Sequence, residues 1–186
     1  MEDKQIIELF WARAEQAITA TDEKYGKYCY YIAYNILHSN EDSEECVNDT
    51  YLKAWESIPP HRPERLAAFL GKITRNLSIN KYKYLTAGKR GEGQYEMALE
   101  ELNECIPSAV SVEQIMEDRE LSEVFNRFLE MLPVEKRKVF MRRYWYFSPV
   151  KEIAAEYGMS ESKVKMSLLR TRSAFRQYLE KEGVAL

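Results

Sequence analysis

The stretch that most constrains this chain runs from Ser148 to Leu179: SPVKEIAAEYGMSESKVKMSLLRTRSAFRQYL. Its spacing predicts two helices joined by a tight turn. Ser148 suits an N-cap, and Pro149 fits the first helical position, where its missing N–H costs nothing. Ile153, Ala154 and Tyr157 give a short apolar stripe, and the small Ala154 and Ala155 permit a close helix crossing. Gly158 supplies the left-handed conformation that ends the helix, and Ser160 caps the next one. In that second helix Val164, Leu168, Thr171, Phe175 and Tyr178 fall within a narrow arc at 3.6 residues per turn. The opposite arc carries Ser162, Met166, Leu169, Arg170, Ser173 and Arg176, flanked by Lys163, Lys165 and Arg172. A merely solvated face would mix acids into that arc, yet none occurs between Ser162 and Leu179. The pattern is a helix-turn-helix with a cationic second helix, the arrangement that lays a helix in the major groove of DNA. The competing reading is an αα-hairpin whose basic face is only wet.

Charge elsewhere in the chain sharpens this. The net charge of −3 looks wrong for a nucleic-acid binder until it is mapped. Residues 1–60 carry −7, residues 61–90 carry +7, residues 91–133 carry −9 and residues 134–186 carry +6. Two basic blocks separated by an acidic one make two candidate nucleic-acid surfaces.

The N-terminal part reads as helical over 5–37, in two pieces broken around Thr21–Asp22. Ile6, Leu9, Phe10, Arg13 and Ala17 form one stripe, and Tyr25, Tyr28, Ile32 and Ile36 another. Tyrosines 28, 30, 31 and 34 are expected in core and rim. Ser39 or Asn40 then caps a third helix that begins with acids, where the helix dipole favours them. Val47, Tyr51, Ala54 and Ile58 face inward and Asp49, Leu52, Lys53 and Trp55 are left for the rim, until Pro59-Pro60 stops the helix. The basic block that follows, HRPERLAAFLGKITRNLSINKYKY, has Leu66, Phe69, Leu70, Ile73 and Leu77 as its core stripe. Lys72, Arg75, Asn76, Lys81 and Lys83 lie off it, with Tyr82 and Tyr84 interleaved. Basic residues beside aromatics suit single-stranded nucleic acid, because every base has a face to stack. The same stretch reads equally well as a basic amphipathic helix with its tyrosines packed inside.

Three strings, NEDSEECVNDTYLKAWESI, AAFLGKITRNLSIN and LPVEKRKVFMRRYWYFSPVKEIAAEYGMSESKVKMSLLRTRSAF, resemble regions 2 and 4 of an extracytoplasmic-function sigma factor of bacterial RNA polymerase. The likeness covers roughly residues 20–85 and 120–180, in the right order. It implies an all-α protein of two small helical domains joined by a flexible acidic linker. Region 2 is expected over 1–85, the linker over 86–118 and the helix-turn-helix region 4 over 119–186. It also implies a promoter-reading subunit that is no enzyme, takes no cofactor or metal, and works in the cytoplasm without membrane insertion. The expected partners are promoter DNA, core polymerase through its β′ clamp helices and β flap, and an anti-sigma factor.

Carried over by resemblance, Asn48, Asp49, Leu52, Lys53 and Trp55 match the segment that docks on the clamp. Asn48 and Asp49 stand where a Gln-Glu pair is commoner. Asn76 matches a position near the flipped base of the −10 element, with Lys72, Arg75 and Lys83 adjoining. His61, Arg62 and Pro63 occupy the place of the −10 specificity loop, although PPHRPERL departs from its usual pattern. Ser162, Lys163, Lys165, Met166, Leu169, Arg170 and Arg172 fall where the −35 element is met. Met166 and Leu169 offer only apolar contact, for instance to thymine methyls.

The linker, TAGKRGEGQYEMALEELNECIPSAVS, is glycine-marked and then acidic. Promoter elements about one and a half helical turns apart lie roughly 50–60 Å from each other. A free tether of this length averages about 30 Å end to end and stretches to about 90 Å. Its acidic charge would mimic nucleic acid in a basic channel and discourage the free protein from binding DNA alone. No further domain is expected after Leu179.

Cys29, Cys46 and Cys105 are odd in number and form no CxxC pair, which suits a reducing compartment. A zinc site from Cys29, His38 and Cys46 fits no usual ligand spacing. The acidic amphipathic start lacks the features of a signal peptide or membrane span. Neither a Walker A motif nor a Gly-rich fingerprint is present. Two other classes remain open at this stage. A two-domain regulator would bind duplex DNA without polymerase, but leaves ECVNDTYLKAW unexplained. A metalloenzyme on the acidic helices would need carboxylates converging with histidine, and only His38 and His61 exist.

Overall fold

The computed structural model describes residues 1–86, 93–103 and 119–183. Gly88, Gly91, Cys105 and the acidic run beyond residue 103 lie outside them. All regular structure among the described residues is helical: α1 (Asp3–Trp11), α2 (Gln16–Leu37), α3 (Asn40–Ser57), α4 (Leu66–Thr86), α5 (Gln94–Asn103), α6 (Arg119–Met131), α7 (Val134–Tyr144), α8 (Val150–Tyr157) and α9 (Glu161–Lys181). The chain divides into two compact units, Met1–Gly91 and Glu92–Leu186. No helix among the described residues is long and apolar enough to cross a membrane.

In the first unit α2, α3 and α4 pack on one another and α1 lies on α2. Ile6, Phe10, Ala17, Cys29, Ala54, Ile58, Leu66 and Leu70 are fully enclosed in the core. The α1–α2 break falls at residues 12–15 rather than at Thr21–Asp22. Arg13 takes the left-handed conformation there (φ 54°). Thr21 is buried inside α2, with its hydroxyl donating to the Ala17 carbonyl at 2.7 Å. Asp22 continues the helix and accepts from the Tyr51 hydroxyl of α3 at 2.8 Å. Both residues resemble breakers in sequence, yet Thr21 is enclosed in the core and Asp22 is tied to α3.

Helix α3 is capped by Ser39, whose hydroxyl accepts from the Asp42 N–H at 3.3 Å. The inner seam of α4 differs from the apolar stripe read from sequence. Leu66, Leu70, Gly71, Thr74, Arg75, Ser78 and Ile79 are buried, while Phe69, Ile73 and Leu77 are only partly so. Small residues explain the rotation, because they let the helices come close. A Cβ at Gly71 would stand 2.4 Å from the Tyr28 hydroxyl of α2. On the α3 side, the Thr50 and Thr74 hydroxyls meet at 3.1 Å inside the core. Cys29 and Cys46 are buried free thiols, each pushed up in pKa by burial.

The second unit is built on an aromatic cluster. Phe175 of α9 lies 4.8 Å from Phe128 and 5.4 Å from Phe125 of α6, ring centre to ring centre. Phe140 of α7 lies 4.6 Å from Tyr144 in the same core, the two rings tilted by 57°. Helix α8 begins one residue later than its sequence suggests, with Pro149 as N-cap and no side-chain cap bond. Ser148 is buried instead, and its N–H donates to the Arg142 carbonyl at 2.9 Å. Phe147 before it is left-handed (φ 53°), which turns the chain into α8. Residues 94–103, read from sequence as part of a flexible tether, form α5 and belong to this unit.

Candidate nucleic-acid interface

The turn between α8 and α9 is built as its residues require. Gly158 is left-handed (φ 60°, ψ 36°), and the N–H of Met159 returns to the Ala154 carbonyl at 2.9 Å. The Ser160 hydroxyl then accepts from the Lys163 N–H at 3.2 Å and starts α9. Val164, Leu168, Thr171, Phe175 and Leu179 are buried, which fixes the roll of the helix. Consequently Ser162, Lys163, Lys165, Met166, Leu169 and Arg170 point outward together. Met166 and Leu169 are 48% and 47% exposed and lie about one turn apart on that face. Beside them an open groove of ≈ 500 Å³ runs between α7 and α9, lined by Lys136, Lys163 and Arg170 with the single acid Glu135, and by Val139 and Met166. Lys136 was not singled out from sequence. Its signal is the cationic run EKRK at the start of α7, which becomes meaningful only once α7 is seen beside α9.

Arg172 is the exception on this helix. It is 8% exposed and donates to the Tyr144 hydroxyl at 2.6 Å, with Glu101 of α5 at 3.4 Å. Sequence places it on the flank of the DNA-facing arc, whereas the packed α5 covers it. Arg143, 1% exposed, holds the same carboxylate with two bonds of 2.6 and 3.2 Å. Burial tends to raise the Glu101 carboxyl, but hydrogen bonds and charge from Arg143, with Tyr144 and Arg172, hold it below its ordinary range. Burial, together with the Glu101 charge, pushes the Tyr144 phenol up.

In the first unit Lys72, Asn76 and Lys83 are exposed along α4, spaced so that they share one edge of the helix. Tyr84, next to them, is 81% exposed. Arg75 is not on that edge: it is 3% exposed, within the helix seam. His61 is exposed, with its ring 3.1 Å from the Ser57 carbonyl. Arg62 is also exposed but not idle. It pairs with Glu8 of α1 and lies over the Trp11 ring at 4.8 Å, so the loop before α4 is strapped to the N-terminal helix.

Asn48, Asp49, Leu52 and Lys53 lie together on the outer face of α3, with Leu52 55% exposed and Lys53 paired with Glu56 at 2.7 Å. Asn48 borders an open groove of ≈ 620 Å³ between α2 and α3. Trp55 sits differently. Its ring packs edge-on to Phe10 at 6.2 Å and is covered by the Arg13 guanidinium at 5.3 Å, so it belongs partly to the core. Among the described residues no group of His, Cys, Asp or Glu is arranged to hold a metal ion.

The first unit matches the family model for sigma-70 region 2 over residues 22–87, and the second matches that for sigma-70 region 4 over residues 122–175. Together the two regions account for most of the chain, in the order the fold presents them. The chain belongs to the sigma-70 family. It is similar to the ECF RNA polymerase sigma factor SigE of Mycolicibacterium smegmatis, 25% identical over 154 residues, 83% of this chain and 58% of that protein. It is also similar to the "Probable RNA polymerase sigma factor RfaY" of Xanthomonas campestris pv. campestris, 25% identical over 153 residues, 80% of this chain and 36% of that protein. The chain therefore spans little more than half the length of the first and about a third of the second. The outward face of α9 and the exposed edge of α4 both fall inside the sigma-70 matches, whereas α1 and α5 fall outside them.

Proposed function

We propose that this sigma-70 family chain directs core RNA polymerase to specific promoters and helps open them, with α9 reading the duplex −35 element and α4 holding the opened −10 strand. The observation that supports this is the presence, in one chain, of two differently built exposed basic faces. One is an acid-free helix face shaped for a groove, and the other is a basic helix edge beside an exposed tyrosine. A duplex reader alone has no use for the second.

On α9, Arg170 has the reach for a bidentate contact to a guanine edge, and Met166 and Leu169 suit thymine methyls. Lys163 and Lys165 flank them as phosphate contacts, which set register without reading sequence. On α4, Asn76 is placed to hydrogen-bond an extruded base, with Lys72 and Lys83 following the backbone. Extruding a base costs a few kcal/mol, and each base stacked on an aromatic returns about 1–3 kcal/mol. Capture of two or three bases therefore offsets opening without nucleotide hydrolysis. The chain contributes recognition, and catalysis stays with the core enzyme.

The outer face of α3, with Asp49 and Leu52 at its centre, docks on the β′ clamp helices, and the second unit meets the β flap. The region 2 function resides in residues 1–85. The −35 function resides in residues 119–186 with α5 attached, and the segment between is the tether. The protein acts in the cytoplasm under the restraint of an anti-sigma partner. Capture of core polymerase by the immobilised chain tests the docking face. Asp49→Ala combined with Leu52→Ala should weaken capture at least tenfold while leaving the thermal melt unchanged, since both side chains are exposed. Unchanged capture would remove the assignment. Trp55 is a poor probe, because its loss would also uncover Phe10.

A further inference from the structure

Helix α5 lies outside both matched regions, and sequence reasoning assigns it to a tether. In the structure its Glu101 carboxylate is the acceptor at the centre of a buried cationic cluster. It receives Arg143 Nη2 at 2.6 Å and Nε at 3.2 Å, the Tyr144 hydroxyl at 2.9 Å and Arg172 Nη1 at 3.4 Å. Arg143 Nη1 donates to Gln94 Oε1 at 2.7 Å, at the other end of the same helix. Two guanidiniums enclosed so deeply need an anion between them, because an uncompensated buried charge is strongly destabilising. Glu101 satisfies that need with one negative charge against two positive ones.

The donors come from α7 and α9, the two helices that also line the groove of Lys136, Lys163 and Arg170. Their geometry, one arginine gripping two oxygens with a hydroxyl and a second arginine beside it, fits a phosphodiester as well as it fits a carboxylate. The surroundings are those of a DNA backbone contact. An open groove of ≈ 390 Å³ beside Glu101 is lined by Lys151, Lys165 and the start of α8 at Pro149 and Val150, with Glu161 as the one further acid on it. In a helix-turn-helix the helix before the reading helix crosses the backbone, and helix N-termini attract phosphate.

Besides the Glu101 and Gln94 bonds, three side chains hold α5 in place. Tyr95, Ala98 and Leu102 are buried, with Tyr95 edge-on to Phe147 at 5.1 Å. Ten residues are too few for a helix to persist alone in water. Once its contacts are replaced, α5 has no reason to stay folded. Building on the proposed −35 reading, we infer that Arg143, Arg172 and Tyr144 form a DNA-phosphate site. In the free chain α5 occupies that site through Glu101, as an internal mimic of the backbone. Duplex DNA and α5 then compete, and any event that draws the tether away frees two guanidiniums for DNA.

Binding of the full chain to a short random-sequence DNA duplex, followed across a salt series, tests this, because phosphate contacts are sequence-independent. Glu101→Gln should bind about tenfold tighter at about 0.1 M salt. The slope of log affinity against log salt should steepen by about 0.9 to 1.8, one increment for each guanidinium released. Adding Arg172→Gln to Glu101→Gln should reverse part of that steepening. A second readout needs no variant: in the wild-type chain, amide hydrogen exchange of α5 should accelerate when the duplex is added. This decides the matter even where Glu101→Gln fails to fold. Binding that Lys163→Ala weakens but Glu101→Gln leaves unchanged, or α5 amides equally protected with DNA bound, overturns the mimic while keeping α9 as a DNA helix. Absence of duplex binding in every variant overturns both.

Discussion

Phe175→Ala is the substitution whose consequence the fold specifies most fully. Phe175 is 1% exposed and its ring touches Phe128 at 4.8 Å, Phe125 at 5.4 Å and Phe140 at 6.4 Å. It is the point through which α9 is held against α6 and α7, so its removal opens a cavity in the centre of a small core. Truncating a buried phenylalanine costs about 3–5 kcal/mol. The three ring contacts, each worth about 0.5–1.5 kcal/mol beyond area burial, place this case toward the upper end. A unit of this size has a stability near the low end of about 5–15 kcal/mol, so most of it is lost. Melting should fall by at least about 12 °C, since a small domain loses about 4–8 °C per kcal/mol. Thermal unfolding of the full chain carrying Trp145→Phe, so that tryptophan fluorescence reports the first unit through Trp11 and Trp55 while circular dichroism reports both, separates the two units. The transition of the second unit should collapse while that of the first stays in place. A loss below about 1 kcal/mol would mean that α9 is not anchored through this ring, and the account of its outward face would fail with it.

Gly71→Val tests the other core: its Cβ alone would stand 2.4 Å from the Tyr28 hydroxyl, its further methyls add to the crowding, and overpacking of this kind costs about 1–3 kcal/mol, more than a β-branched residue regains in helix propensity. Denaturant unfolding should show the loss in the first unit only, and an unchanged midpoint would refute the close α2–α4 approach. Arg170→Ala should cost about 1–3 kcal/mol and relax preference at one −35 position, while Lys163→Ala weakens all sequences alike. Competition against a −35 library distinguishes the two, and equal shifts for every sequence in both variants would reduce α9 to a backbone holder. The Glu101 carboxyl is held below its ordinary value of 4.5, so its contribution is complete above that value and disappears as pH falls through the depressed one. Acid should therefore destabilise the second unit more in the wild type than in Glu101→Gln, and identical pH profiles would show that the carboxylate carries no such weight.

The helix-turn-helix was legible because its signals are local. Gly158, Ser160 and the 3.6-residue spacing of Val164, Leu168 and Phe175 each act within a turn or two. The outer face of α3 was legible for the same reason. What could not be read were features decided by distant partners. Asp22 looks like part of a helix break until the Tyr51 hydroxyl of α3 donates to it. The seam of α4 follows the small residues Gly71, Thr74 and Ser78, whose value lies in what they let approach. Arg75 and Arg172 are recognisably basic, but their burial depends on helices far away in sequence. Glu101 meets Arg143 and Arg172 across 42 and 71 residues, a separation at which no pattern in the intervening sequence points to the pairing.

The central claim is that this chain opens promoters in partnership with core polymerase. Permanganate reactivity of thymines on a promoter selected by the chain and core enzyme together measures it most directly. The account predicts that one short −10 segment becomes reactive only when both are present, and that Asn76→Ala slows its appearance without weakening the −35 contact. Tight duplex binding by the chain alone, with no thymine becoming reactive when core enzyme is added, would contradict it.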